Sequence, residues 1–203
     1  MPILALIMNI TIIVFEIFTL GHIRGKLNIL KYYTYLQNFI ALITSLIFSI
    51  GLIVCIISDG VFPEFIKGLR YIATCGLLVT TFIFVVFLGA GKKIKITEDD
   101  FMPGCSPKTA NILLHYVCPI LSLISFVFFE RNINLTNDIW TAIVAAPSCI
   151  YWIIYLVLSL TNLWEEPYNF ASQENNNNIR DILSIVLIPV SFIAISFIVW
   201  NIM

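Results

Sequence analysis

Six long runs of apolar residues follow one another along the chain, separated by short polar segments. They cover about 3–22, 31–58, 69–90, 109–129, 139–163 and 181–203. Each run is close to the roughly 20 residues that a helix needs to cross the hydrocarbon of a bilayer. The apolar residues are continuous instead of alternating, which favours helices over barrel strands. The pattern predicts an all-α integral membrane protein, a bundle of six transmembrane helices that forms one domain over 1–203.

The composition agrees with a lipid environment. The 203 residues are 60% hydrophobic and only 11% charged, with a mean hydropathy of +0.97, whereas about a quarter of a soluble domain is charged. The net charge of -1 leaves no basic surface for a phosphate backbone, so no nucleic acid partner is expected. The first run lacks the positive segment that precedes a cleaved signal peptide, which predicts a retained helix. The five cysteines have neither metal-ligand nor disulfide-framework spacing.

Lysine and arginine are divided unevenly between the two sides of the predicted bundle. The second and fourth connections and their edges carry only Lys67, Arg70 and Arg131. The other connections carry Arg24, Lys26, Lys31, Lys92, Lys93, Lys95, Lys108 and Arg180. Because basic loops stay in the cytoplasm, the sequence predicts that the odd-numbered loops are cytoplasmic and that both termini lie outside.

Two ionisable side chains, Glu16 and His115, lie clearly inside predicted spans. Such groups are costly in lipid, so a functional role is the default hypothesis for them. Both are six residues from the same predicted face, about 9 Å deep at 1.5 Å per residue. Thr34 opens the second run at that face, and Asn38 and Asn111 lie one turn from Thr34 and His115. The polar residues of several helices therefore meet at one level.

A hydroxyl and an imidazole at one depth indicate nucleophilic catalysis. Threonine is a weak nucleophile that needs an adjacent base, and histidine is the usual one. Thr34 and His115 are thus the candidate nucleophile and base. Asn38, Asn111 or backbone amides would stabilise the oxyanion, and Glu16 would orient the histidine.

Structural interpretations of the same residues remain open. The Thr34 hydroxyl could bond its own backbone, and His115 could join two helices or bind a metal together with His22. Glu16 could reach the interface or pair with Arg24 or Lys26. The alternative function is a non-enzymatic transporter of protons or small solutes, or a lipid-binding membrane protein, in which His115 and Glu16 line the path.

Aromatic residues follow the fifth run at the same predicted face. Trp164 and Tyr168 flank Pro167 there. Tryptophan and tyrosine commonly anchor helix ends at headgroup level, so an interfacial role is the simplest interpretation, and a contact with substrate is the functional one.

Three segments carry a resemblance to a known family. The first is Lys31-Tyr-Tyr-Thr-Tyr-Leu36, and the second is Asn111-Ile-Leu-Leu-His115 followed by Pro119. The third runs from Thr141-Ala142 through Tyr151-Trp152 to Trp164-Glu-Glu-Pro-Tyr168. In order and spacing they resemble motifs of the androgen-induced-gene family of integral membrane threonine hydrolases. Arg70, Thr74 and Thr81 are similar to the third helix of its microbial relatives.

Members of that family hydrolyse fatty acid esters of hydroxy fatty acids with a threonine nucleophile and a histidine base. The resemblance implies these roles for Thr34 and His115, a six-helix fold and a place in lipid metabolism. It also implies a lipid ester substrate drawn from the bilayer, with membrane lipids as surroundings and no metal or organic cofactor. Glu165-Glu166 departs from the hydrophobic-tyrosine pair of the family. For a microbial member, the expected location is the cell membrane.

Overall fold

The computed structural model describes residues 2–23, 32–87, 101–130, 135, 139–161, 163 and 179–202, with the side chains of the last segment from 186 onward. These residues form six helical segments and no sheet. They are α1 (Pro2–Gly21), α2 (Tyr33–Ser58), α3 (Glu64–Val86), α4 (Pro107–Phe129), α5 (Ile139–Leu160) and α6 (Ile179–Ile202). Helices α1 to α5 are long and apolar enough to cross a membrane, and α6 contains a shorter apolar stretch, Val186–Ile202. This all-α architecture indicates a multi-pass membrane protein.

Consecutive helices run antiparallel. Ala5 near the start of α1 packs in one cluster with Phe48 of α2, whereas Leu20 near the end of α1 packs with Tyr35 at the start of α2. The same alternation continues through α3 and α4, because Thr81 contacts His115 at one end of the pair and Arg70 contacts Glu130 at the other. We call the two ends of the bundle the Gly21 end, where α1 and α3 finish, and the Ser58 end, where α2 and α4 finish.

The third helix begins earlier than its apolar run predicts. It starts at Glu64, directly after Pro63, and not at residue 69. A hydropathy pattern excludes charged residues from a span, yet Lys67 and Arg70 are buried in this helix. The prediction that Lys67 belongs to a connecting loop is therefore wrong. Both positive charges are retained in the helix because acceptors and an aromatic ring from neighbouring helices surround them.

A buried ion pair links α3 to α4 near the Ser58 end. Arg70 Nη2 lies 3.4 Å from Glu130 Oε1 and 3.2 Å from the Ser122 hydroxyl, while Nη1 donates to Ser45 of α2 at 3.2 Å. On the α1 side, the Asn9 amide donates to Glu130 at 3.0 Å. Charges taken out of water need such partners. The pair and its neighbours therefore connect four helices in one polar network.

Candidate active site

Thr34 is the second residue of α2, at the Gly21 end. Tyr32, the residue just before the helix, provides no side-chain cap for it. The first backbone N–H groups of a helix have no carbonyl one turn earlier within it, and they form the positive end of the helix dipole. The half-buried threonine therefore lies where backbone donors and a favourable field for negative charge coincide.

A narrow cavity lies beside Thr34. Its volume of about 10 Å³ is roughly that of a single water position. Thr80 of α3 and Tyr151 and Trp152 of α5 share its lining with Thr34. Nearby, the Tyr33 hydroxyl and Ser148 Oγ are 2.6 Å apart and hold the start of α2 against α5.

His115 lies in α4 and is 3% exposed. Its ring stacks on Phe84 of α3, with centroids 3.8 Å apart and an interplanar angle of 13°. The imidazole also lies beside the backbone of Thr80. Among the described residues, the buried Nδ1 has no hydrogen-bond partner.

The backbone at His115 departs from α-helical geometry because Pro119 follows four residues later. Leu113–Val117 forms a π-helical turn in which the Cys118 N–H bonds the Leu113 carbonyl. Proline at 119 has no N–H and its ring clashes with the carbonyl four residues earlier, which is that of His115. The Thr81 hydroxyl of α3 donates to this carbonyl at 2.7 Å. α3 thus satisfies the group that Pro119 leaves unpaired.

Thr80 lies between the two predicted catalytic residues. Its side chain lines the cavity beside Thr34, and its backbone contacts the imidazole of His115. In the part of the chain that the structure describes, no hydrogen bond joins His115 Nδ1 to the Thr34 hydroxyl. Thr34 and His115 therefore approach the same turn of α3 from α2 and α4 without a direct bond.

The two candidate oxyanion donors differ in their surroundings. Asn38 is fully buried, and its amide nitrogen donates to the carbonyl of Thr34 at 2.7 Å. Within the described ranges, its Oδ1 has no hydrogen-bond partner. Asn111 is half-buried at the start of α4. Asn38 therefore bonds the backbone of Thr34, and Asn111 lies one turn from His115.

Glu16 is fully buried in α1, and neither carboxyl oxygen has a hydrogen-bond partner among the residues that the structure describes. The thiol of Cys118 on α4 lies beside it. The carboxyl therefore does not reach the interface, and it makes no hydrogen bond to His115. His22, the other histidine, directs Nδ1 at the Phe18 carbonyl at 2.5 Å.

Trp164 and Tyr168, the remaining predicted site residues, lie outside the described residues. Sequence reasoning does not identify the buried pair formed by Arg70 and Glu130, because it places Glu130 in a loop and counts Arg70 with the loop charges. The signal is present in the chain, since the third apolar run begins and the fourth ends at the same predicted face, with opposite charges. Sequence reasoning also does not identify Thr80 as the contact between the two catalytic candidates.

Comparison with protein-family models, with curated proteins and with solved structures finds no match to this chain.

Proposed function

We propose that this chain is a membrane-embedded hydrolase of lipid carboxylic esters, with Thr34 as nucleophile and His115 as general base. The observation that carries the proposal is the unpaired Nδ1 of a buried, stacked imidazole on the turn of α3 whose Thr80 also lines the cavity beside Thr34. An unpaired lone pair in a buried site is costly for stability. Such a group suits a base that gains its hydrogen bond when the substrate binds.

The position of Thr34 supports an acyl-transfer step. When Thr34 Oγ1 attacks the ester carbonyl, negative charge develops on the carbonyl oxygen within reach of the first N–H groups of α2. Donors directed at a developing oxyanion are often the largest single contribution to such catalysis. The long α2, Tyr33–Ser58, adds the positive end of its dipole.

The proposed reaction has two steps. His115 Nδ1 accepts the hydroxyl proton as Thr34 Oγ1 bonds to the carbonyl carbon, and the imidazolium then protonates the departing alkoxide. This gives an alcohol and an acyl-threonine. Water, deprotonated by the same nitrogen, attacks the acyl carbon and releases the carboxylic acid, and the proton returns to Thr34. The stacking on Phe84 keeps the ring in one orientation throughout.

The size of the cavity sets a requirement for this chemistry. A space of about 10 Å³ suits the water of the second step but not an ester group. Substrate binding therefore requires side chains that line the cavity to move. The acyl chains stay in the apolar surroundings of the bilayer, and fatty acid esters of hydroxy fatty acids are the proposed substrate class.

We also propose how the chain is oriented in the membrane. Six spans, with α6 as the sixth, odd-numbered loops in the cytoplasm and both termini outside, would put the site near the inner face of a cell membrane. Single cysteines introduced at residues 60 and 92 test it. A membrane-impermeant maleimide should label residue 60 in intact cells and residue 92 only after permeabilisation. The reverse result would invert the arrangement.

Labelling of the purified protein with a fluorophosphonate probe tests the catalytic residues. Wild type and Thr34→Ser, which keeps a hydroxyl, should react. Thr34→Ala and His115→Ala should lose labelling and lipid-ester hydrolysis by at least about 10²-fold. Thr44→Ala is the matched control, because Thr44 is buried in the same helix and its hydroxyl bonds the Ala41 carbonyl of that helix at 3.2 Å.

Two outcomes would overturn the proposal. Persistent labelling of Thr34→Ala would reject the nucleophile. A folded wild-type protein that neither reacts with the probe nor releases fatty acid from a panel of lipid esters would favour the non-enzymatic alternative.

A further inference from the structure

The first four helices build two buried layers that are one heptad apart. The layer toward the Ser58 end contains Asn9, Ser45, Arg70 and Ser125, where Asn9 bonds Ser125 and Arg70 bonds Ser45, each at 3.2 Å. Seven residues along each helix lie Glu16, Asn38, Leu77 and Cys118, all fully buried. Seven residues are nearly two helical turns, about 10 Å, so both sets face the same core.

The buried acids of the two layers, Glu130 and Glu16, differ in their hydrogen-bond partners. In the first layer, the Glu130 carboxylate accepts hydrogen bonds from Ser125 at 2.7 Å and Asn9 at 3.0 Å, and Arg70 lies 3.4 Å away. In the second, the position equivalent to Arg70 is Leu77, which offers neither a charge nor a donor. The carboxyl of Glu16 receives no hydrogen bond from any described residue.

The layer that holds Glu16 contains few hydrogen-bond donors. Among the described residues, Asn38 Oδ1 is buried without a partner, while the amide nitrogen of Asn38 donates to the Thr34 carbonyl. The Cys118 thiol is a weak donor. An isolated carboxylate in such surroundings costs far more than a lost hydrogen bond, and it becomes neutral instead. A protonated carboxyl supplies the missing donor, its own O–H.

We propose that Glu16 is an intramembrane binding site for an exchangeable proton. On the elements packed against α1, the titratable side chains nearest to it by helical register are Cys118 at the same level, His115 three residues along α4 and Tyr35 three residues along α2. The nearest charged side chains in the described part are Arg70 and Glu130, about 10 Å toward the Ser58 end. Transfer of the proton to His115 Nδ1 would leave a carboxylate and an imidazolium, a pair of opposite charges. This proposal does not depend on ester hydrolysis.

Infrared spectroscopy of the purified protein in lipid nanodiscs at pH 7 tests it. Exposed carboxyls are ionised at this pH, so a carbonyl-stretch band of a protonated carboxyl reports a buried acid. We expect this band in wild type, its loss in Glu16→Gln and its retention in Glu130→Gln. Transfer into D₂O should shift it, because the proton exchanges.

Three outcomes would overturn the assignment of an exchangeable proton to Glu16. Absence of the band from folded wild-type protein overturns the proposal, whether or not Glu16→Gln folds. A band that survives in Glu16→Gln and disappears in Glu130→Gln assigns the proton to the other buried acid and also overturns it. A band that does not move in D₂O rejects exchange.

Discussion

The hydroxyl of Thr81 in α3 donates a hydrogen bond of 2.7 Å to the backbone carbonyl of His115 in α4. Pro119 makes this contact necessary, since it removes the N–H that would otherwise bond that carbonyl. The bond joins the π-helical turn of α4 to the neighbouring helix and fixes the backbone that carries the imidazole. One hydroxyl therefore positions the candidate base without contacting its ring.

Replacing Thr81 by valine should destabilise the protein by about 1–2 kcal/mol, because the carbonyl of His115 loses its donor in a buried place. Thr81→Ser, which keeps the hydroxyl, should retain most of the stability. Unfolding of the purified protein in mixed micelles measures both. Equal stability of the valine variant and wild type would contradict the positioning role.

Arg70 and Glu130 should behave as one unit. Arg70→Met leaves a buried carboxylate without its cation and should cost about 3–5 kcal/mol in the free energy of unfolding. Glu130→Gln removes the negative charge but keeps an oxygen that Asn9 and Ser125 can reach. The double variant should therefore be less destabilised than the sum of the two single variants. Simple additivity in a double-mutant cycle would show that the charges do not interact.

Gly68 allows the close approach of α5 to α3. A Cβ at this position would overlap the ring of Trp140, whose Nε1 donates to Glu64 at 3.1 Å. Gly68→Ala should cost about 1–3 kcal/mol, the usual range for overpacking. Gly21→Ala is the control, since a Cβ there meets no atom within 4 Å. Thermal unfolding of both variants checks the difference, and equal melting temperatures would argue against tight packing at Gly68.

Cys105 precedes α4, outside the membrane-spanning segments, and should react slowly with alkylating agents at neutral pH. Burial raises the pKa of its thiol, so at any given pH below that value less of the reactive thiolate is present than in an ordinary cysteine. Alkylation should therefore accelerate as the pH rises, and the same residue should react faster in denatured protein. Peptide-resolved mass spectrometry after iodoacetamide treatment measures this. Equal rates in folded and denatured protein at pH 7 would contradict it.

The continuous apolar runs predicted the helices well, because length and hydrophobicity alone decide whether a segment can satisfy its backbone in lipid. α1, α2, α4 and α5 match their predicted runs to within a few residues. The predicted start of α3 is too late because hydropathy treats Lys67 as a loop residue, and it counts Arg70 with the loop charges. Their burial depends on Glu130, Ser45 and Ser122, which lie on other helices and are invisible to a local pattern.

At the candidate site, the sequence determined the residue types and the proline that disrupts α4. It predicts a similar depth for Thr34, His115 and Glu16, because 1.5 Å per residue converts position into depth once the helices are known. Only the tertiary structure decided which helix faces each of them. It brings Thr80 between Thr34 and His115, Thr81 onto the carbonyl at His115, and Cys118 beside Glu16. Rotation of a helix about its axis is set by packing against its neighbours, and an apolar run with no polar face to water carries little information about that rotation.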